Sequence, residues 1–332
     1  MKNPNYLELI EKYKAMYPLA YKLTLAKLIY DDNQEMFTSY PSRQDAIEAL
    51  RVSIRYYSGS GGHAKRQMKN ANALEFMGQI VPTHQEALPP LKLKEGVTLI
   101  IGDIHGHKHS QYLKDYFLFA KDRGIDSVIL NGDIIDFEEM SRFPQSQRRE
   151  RILDEVSLVK ELLADINDFF PNIKKIYKKG NHELWFDKHL WSNPILADLL
   201  VGLKELNFQS LLGLNDLGWT FVDDRQVIEL GKLMLIHGHE AKKGGKYVAN
   251  ALLEYFKRDV AFGHFHRIDF AKFDIYGGRT IRSHALPCAC DLNAAYTGIN
   301  NQWSDGFAIC TFNEEDYKLD VYVQNDGKIR KV

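Results

Sequence analysis

From residue 97 onward the apolar positions fall into short runs, and five of them end in a glycine-marked set of polar side chains. Val97-Thr98-Leu99-Ile100-Ile101 empties into Gly102-Asp103-Ile104-His105-Gly106-His107. Ser127-Val128-Ile129-Leu130 empties into Asn131-Gly132-Asp133-Ile134-Ile135-Asp136. Lys175-Ile176-Tyr177 leads to Gly180-Asn181-His182-Glu183, and Leu233-Met234-Leu235-Ile236 leads to His237-Gly238-His239-Glu240. Asp259-Val260-Ala261-Phe262 ends in Gly263-His264-Phe265-His266. Runs this short, bounded by glycine and rich in aliphatic residues, predict buried strands. In open α/β sheets, ligands bind beyond the carboxyl ends of the strands, so five such tips predict one shared site.

The period changes elsewhere. Ile152, Val156, Val159, Leu162, Leu163, Ile166 and Phe169 recur at helical spacing up to Pro171, which predicts a crossover helix between two parallel strands. Leu184 to Trp219 is apolar and read as helical, and Arg279–Ala285, Phe307–Phe312 and Leu319–Val323 read as later strands. At the start of the chain three helical stretches appear. One carries Tyr6, Leu9, Ile10 and Tyr13; the next runs from Leu19 to Ile29; the third carries Ala46, Ile47, Leu50 and Ile54 behind a helix start at Ser42 and Asp45. The resulting division is a helical module over 1–80, of helix-turn-helix type, a proline-containing linker over 81–95 and an α/β domain over 96–332.

Charge and composition add limits. The chain has 332 residues, is 45% hydrophobic and 26% charged, and carries a net charge of −1. Nothing global favours nucleic acid or an anionic membrane, but residues 43–69 hold Arg43, Arg51, Arg55, Lys65, Arg66 and Lys69 against Asp45 and Glu48. That local excess, next to Tyr56 and Tyr57, reads first as a solvated helix face ending in a glycine turn, with nucleic-acid contact through residues 43–69 as the competing reading. No apolar run is long enough to span a bilayer, and the first residues have no signal-peptide core, so a cytoplasmic location is expected. Cys288, Cys290 and Cys310 are read as packed thiols.

Taken together, Asp103-x-His105, Gly132-Asp133-x-x-Asp136, Gly180-Asn181-His182-Glu183, His237 and Gly263-His264-x-His266 resemble the calcineurin-like metallophosphoesterase superfamily. The resemblance covers residues 97 to about 270 and implies a four-layer α/β/β/α sandwich. It also implies two divalent metal ions. Asp103, His105 and His266 would hold one, Asn181, His237 and His264 the other, with Asp133 as the bridge. His182 would act on the phosphate and Asp136 would orient His182. Oxygen and imidazole donors suit borderline transition ions, with Mn²⁺ expected ahead of Fe, Zn, Ni or Co. His107, His239 and Glu183 receive no ligand role, and Glu183 is expected to cap the following helix.

Within the superfamily, the protein phosphatase branch has an arginine after the second aspartate of the second motif, where this chain has Phe137. The Gly263-His264-x-His266 ending resembles the phosphodiesterase and nuclease branches. The expected activity is therefore a phosphodiesterase or nuclease acting on nucleic acid. The alternative is a phosphatase or phosphodiesterase of small nucleotides or phosphoproteins, with the N-terminal module structural. Arg142, Arg148, Arg149 and Arg151 follow the second motif and are candidates for binding non-reacting phosphates, with a solvated helix start as the equal competitor. The whole also resembles metallophosphoesterases of phages and prophages that carry a helical N-terminal extension.

Overall fold

The computed structural model describes residues 6–18, 20–57, 88–141, 151–193, 195, 207–241, 245–293 and 301–332. The chain divides into two units, Met1–Gln85 and Glu86–Val332.

In the first unit the three predicted helices are α1 (Leu7–Met16), α2 (Lys22–Asp32) and α3 (Arg43–Tyr57). Their apolar stripes meet in one cluster built on Ile10, Leu25, Ile29, Leu50 and Ile54. Ser42 starts α3 as its spacing predicts: its hydroxyl accepts from the Asp45 N–H at 3.2 Å and donates to the Asp45 carboxylate at 2.6 Å.

The second unit is organised by two sheets. Among the described residues one sheet has seven strands, in the order β13-β12-β11-β2-β3-β4-β5, and the other six, in the order β1-β6-β7-β8-β10-β9. The strands are β1 (Leu91–Leu93), β2 (Gly96–Ile101), β3 (Ser127–Asn131), β4 (Lys174–Lys178), β5 (Thr220–Val222), β6 (Ile228–Leu230) and β7 (Leu233–Ile236). They continue with β8 (Val260–Phe262), β9 (Asp269–Ile275), β10 (Arg279–Ala285), β11 (Gly306–Phe312), β12 (Tyr317–Asn325) and β13 (Lys328–Lys331). Strands β2 to β5 run parallel, as do β7 and β8. Between β2 and β4 the crossovers are α4 (Leu113–Asp122) and α5 (Ile152–Phe169).

Side-chain alternation separates the layers. In β2, Leu99 and Ile101 join the cluster beneath α4 and α5, while Ile100 faces the other sheet. In β3, Val128 and Leu130 take the helical side and Ile129 the sheet side. The second sheet repeats the rule: Leu233, Leu235 and Ala261 face inward, and Met234, Ile236, Val260 and Phe262 pack under α8 (Val248–Phe256). Because both faces of these strands are covered, their sequences read as unbroken apolar runs. Each fully buried aliphatic side chain contributes roughly 1.5–3 kcal/mol. The four-layer sandwich is thus the observed fold.

Two expectations are corrected. Leu91–Leu93, inside the stretch read as a linker, is strand β1 and pairs parallel with β6. A strand of three residues is too short to show a period. The helical stretch read from Leu184 starts earlier, at Asn181, as α6 (Asn181–Ser192), followed by the short α7 (Phe208–Leu212); residues 196–206 lie outside the described ones.

Candidate metal centre

The predicted tips meet. Asp103, His105, Asp133, His264 and His266 all have positive φ, between 51° and 69°, at the points where β2, β3 and β8 end. For residues with a Cβ this conformation costs on the order of 1–3 kcal/mol each and persists only where surroundings fix it. Here backbone hydrogen bonds fix it: Asp103 N–H donates to Gly132 C=O at 2.9 Å, and His105 N–H donates to Asp133 C=O at 3.0 Å. The turn brings residues 103 and 105, two apart, to the same point.

Two groups of donor atoms result. His237 Nδ1 lies 2.7 Å from the Asn131 carbonyl, to which it donates, leaving the Nε2 lone pair facing inward. That Nε2 lies 3.1 Å from Asp133 Oδ2 and 3.2 Å from Asn181 Oδ1, with His264 close enough to share a ligand position with Asp133 and His237. In the other group, His105 Nδ1 lies 3.0 Å from Asp136 Oδ1, so its Nε2 also faces inward, 3.2 Å from His266 Nε2. Asp103 Oδ1 stands 3.2 Å from His266 Nε2 and 4.0 Å from His237 Nε2. Asp133 is grouped with His105 and His182 on one side and with His237 and His264 on the other. Acceptor atoms about 3 Å apart suit shared cations, since ligand bonds of about 2.0–2.2 Å place neighbouring donors at that spacing. The residues present therefore fit two divalent ions sharing Asp133.

His182, though given no ligand role by the resemblance, lies close enough to His105 and Asp133 to share a cation with them. Its backbone N–H donates to Asp133 Oδ1 at 2.9 Å, and its Nδ1 lies 2.5 Å from the Asp136 carbonyl and 3.3 Å from Asp136 Oδ1. Nε2 is then the free edge, 3.8 Å from Asp133 Oδ2. Asp136 is shared more widely than sequence reasoning foresaw: besides His182 it binds His105 and the ammonium of Lys108, which also holds Glu138 at 2.9 Å.

Several bracing groups were not legible in the sequence. Glu183 caps α6, as expected, but its buried carboxylate also accepts from Asp133 N at 3.0 Å, Ile134 N at 2.8 Å, Gly180 N at 2.8 Å and Tyr177 OH at 2.9 Å. It thereby locks the β3 tip onto the β4 tip. Glu155, from α5, accepts from Phe137 N at 3.1 Å. Glu240 accepts from His237 N at 3.1 Å and pairs with the buried Lys178 at 3.0 Å. The contacts of Glu183 with Asp133 and Ile134, of Glu155 with Phe137 and of Glu240 with Lys178 join segments far apart in the chain, without a spacing that marks them.

Glycine matters at two of these contacts. A Cβ on Gly180 would lie 2.2 Å from Asp133 Oδ1 and 2.4 Å from Asp133 N, and one on Gly263 would lie 2.5 Å from Asp103 Oδ2. Gly180→Ala is expected to cost roughly 1–3 kcal/mol in denaturant unfolding of the metal-free chain. It is also expected to weaken metal uptake in an equilibrium titration, because the carboxylate must move. Wild-type metal affinity in this variant would contradict the placement of Asp133.

Charge in the metal-free protein is balanced by protons. Burial opposes ionisation of Asp133, but the neighbouring His237 and His182 outweigh it and hold its carboxyl well below the usual range. Burial likewise opposes charge on His237, yet Asp133 and Asp103 push its pKa up to about 10. His264 moves the other way, down to about 4, from burial and the charge of His237. At neutral pH the metal-free His237 thus carries a proton that a cation must displace. Metal uptake near pH 7 is expected to release at least one proton per chain, and apparent affinity to rise with pH below about 10. Calorimetry in two buffers of different ionisation enthalpy measures this; uptake without proton release would contradict it.

The remaining sequence candidates fall as follows. His239 is largely buried, with Nδ1 3.6 Å from Glu240 Oε2, and His107 lines a polar cavity of about 650 Å³. Cys288, Cys290 and Cys310 are buried and free, and Cys290 Sγ lies 4.0 Å from His266 Nδ1, close enough to be grouped with His105 and His266. Arg142, Arg148 and Arg149 lie outside the described residues. In the N-terminal unit Arg43 pairs with Asp31 at 2.8 Å and Arg51 with Glu48 at 3.1 Å, so two of the basic residues already have acidic partners. Residues 58–69 lie outside the described ones. No helix among the described residues is long and apolar enough to cross a membrane.

Comparison with known proteins agrees with the motif pattern. The family model described as calcineurin-like phosphoesterase matches residues 96–268, more than half of the chain. No curated protein matches the chain. Among solved structures, vacuolar protein sorting 29 from Cryptosporidium parvum is 18% identical, over 72% of this chain and 96% of that one, with a TM-score of 0.39. Vps29 from Entamoeba histolytica, in a structure complexed with zinc, is 16% identical over 71% and 97%, with a TM-score of 0.37. Chaetomium thermophilum Vps29 is 13% identical over 71% and 96%, with a TM-score of 0.33.

Proposed function

The chain belongs to the calcineurin-like phosphoesterase family, and from that premise we propose that it is a dinuclear-metal phosphodiesterase whose substrate is nucleic acid. The observation that carries the reading is the pair of inward-facing donor groups meeting at Asp133. Asp103, His105 and His266 would hold one ion and Asn181, His237 and His264 the other, with Asp133 shared. Two divalent ions there, Mn²⁺ in this reading with Fe, Zn, Ni or Co as alternatives, would supply Lewis-acid polarisation of a phosphate ester and acidify water.

The chain's own residues do the rest. Asp133, anchored by the His182 N–H and held near His237, keeps the two donor groups in register. His182 donates through Nδ1 to the Asp136 carbonyl, which fixes the ring and leaves Nε2 facing the site. Burial works against a charged His182, but Asp133 and Asp136 raise its pKa to about 9 in the metal-free protein. Asp136 is not among the proposed ligands, so it continues to favour the imidazolium when cations are present. Nε2 is then placed to give its proton to the departing ester oxygen. Phe137, where the protein phosphatase branch has arginine, is fully buried against Phe186 and Phe208, so this position offers no cation to a phosphomonoester. That supports a diester over a monoester. For the module over 1–80, the pairing of Arg43 and Arg51 leaves phosphate contact resting on fewer cations than their count in the sequence.

The test is Mn²⁺-dependent hydrolysis of bis-p-nitrophenyl phosphate against p-nitrophenyl phosphate by the full chain, followed by single-stranded DNA and RNA. A dominant diester rate is expected. A dominant monoester rate would overturn the diesterase reading in favour of nucleotides or phosphoproteins.

A further inference from the structure

Two tryptophans stand where a globular core would not place them. The Trp185 ring lies 4.0 Å from the His182 ring, tilted by 30°, and the Trp303 ring lies 4.2 Å from the His266 ring at 66°. His105 lies between these imidazoles, 4.6 Å from His182 and 5.0 Å from His266. The five rings therefore form an unbroken series of contacts, Trp185–His182–His105–His266–Trp303, with a tryptophan at each end of the series.

Both tryptophans are only partly buried, and neither belongs to the hydrophobic clusters of the fold. By contrast, Trp219 is 3% exposed and packs in the largest cluster. A tryptophan contributes most to stability in such a core, where its large apolar area leaves water. Trp185 follows His182 by three residues on α6, one helical turn, so that both rings rise from the same face. Trp303 is held beside His266 by the backbone: Ser304 N–H donates to the His266 carbonyl at 2.7 Å, and Cys288 N–H donates to the Ser304 carbonyl at 3.0 Å. Both indoles are thus fixed by the segments that carry the site imidazoles.

We propose that Trp185 and Trp303 are stacking platforms for the two bases that flank the scissile phosphodiester, so that the substrate is an unpaired nucleotide chain or a dinucleotide. The proposal rests on the diesterase reading and sharpens it. Planar groups on both sides of the phosphorus are a property of nucleic-acid diesters that a phosphomonoester lacks. Stacking on tryptophan accepts any base, because every base presents a π-face, and it requires that the base be unpaired.

The experiment uses the full metal-loaded chain and a phosphorothioate-linked thymidine dinucleotide as a slowly hydrolysed probe, with inorganic phosphate as the probe lacking bases. Binding is followed by intrinsic fluorescence and calorimetry for the wild type, Trp185→Leu and Trp303→Leu, with Trp185→Phe and Trp303→Phe as variants that keep an aromatic ring. Each leucine variant is expected to bind the dinucleotide at least ~10-fold more weakly, each phenylalanine variant to recover part of that loss, and phosphate binding to stay unchanged. On a single-stranded oligothymidine the same variants are expected to raise KM at least ~10-fold with kcat held within about threefold. A further-strengthened KM for the oligomer over the dinucleotide assigns the polymer as substrate, and equal values assign the dinucleotide. Wild-type dinucleotide affinity in both leucine variants would overturn the platforms. So would loss of phosphate binding together with dinucleotide binding, which marks a packing role, or equal binding of duplex and single strand. A wild-type chain that hydrolyses no diester overturns the diesterase reading itself, a result distinct from a diesterase indifferent to both tryptophans.

Discussion

Asp133→Asn is expected to lose both metal ions and to lower turnover roughly 10³-fold or more, the several kcal/mol that metal polarisation supplies to a transition state. The substitution keeps the size of the side chain and removes only its charge. In the structure Asp133 Oδ2 faces His237 Nε2 at 3.1 Å, while Oδ1 accepts from the His182 N–H at 2.9 Å. A neutral amide satisfies the second contact and fails the first, because two adjacent cations need an anion between them. Bound metal, measured by elemental analysis after dialysis, reports the loss directly. A variant that retains two ions per chain would remove Asp133 from the shared position.

His182→Ala is expected to do the opposite to metal and nearly the same to rate. Both ions stay, since the ring serves neither donor group in the proposed arrangement, and kcat falls by ~10²–10⁴-fold, the range that a positioned general acid contributes. The loss should be smallest for a substrate with a good leaving group such as p-nitrophenolate and largest for an alkyl ester, because only the latter needs a proton on departure. A rate loss equal for both leaving groups would point to a role in binding the phosphate instead. The Asp136 partner predicts a graded companion effect, weaker than removing the imidazole, through a less well-oriented ring.

Much of this was legible in the sequence, for a physical reason. Strands buried on both faces read as unbroken apolar runs, so β2, β3, β4, β7 and β8 were visible from residues 97–101, 127–130, 175–177, 233–236 and 260–262. Chemistry at a strand's end follows directly after the run, which is why the motif residues could be named together and why the family match came as expected. Strand β1 was hidden by its length, and β9 by its composition: in Asp269–Ile275 only Ala271 is buried, so no apolar period marks it. The bracing carboxylates escaped for a different reason. Glu155 lies on a helix, as do many acidic residues, and only the fold brings it to Phe137 N. Lys108 sits 28 positions from Asp136, a separation that carries no pattern. The two tryptophans show the same limit, since Trp303 reaches His266 from 37 positions away in sequence. Local spacing reports what one strand tip presents; the pairing of tips is a property of the sandwich.

The most direct measurement is electron paramagnetic resonance of the chain loaded with two equivalents of Mn²⁺. Two ions joined through the Asp133 carboxylate couple magnetically, and the spectrum of a spin-coupled pair is expected, collapsing to no protein-bound signal in Asp133→Asn. A hyperfine-split spectrum of isolated Mn²⁺ at full loading would contradict the shared centre, because it would place the ions apart with no carboxylate between them.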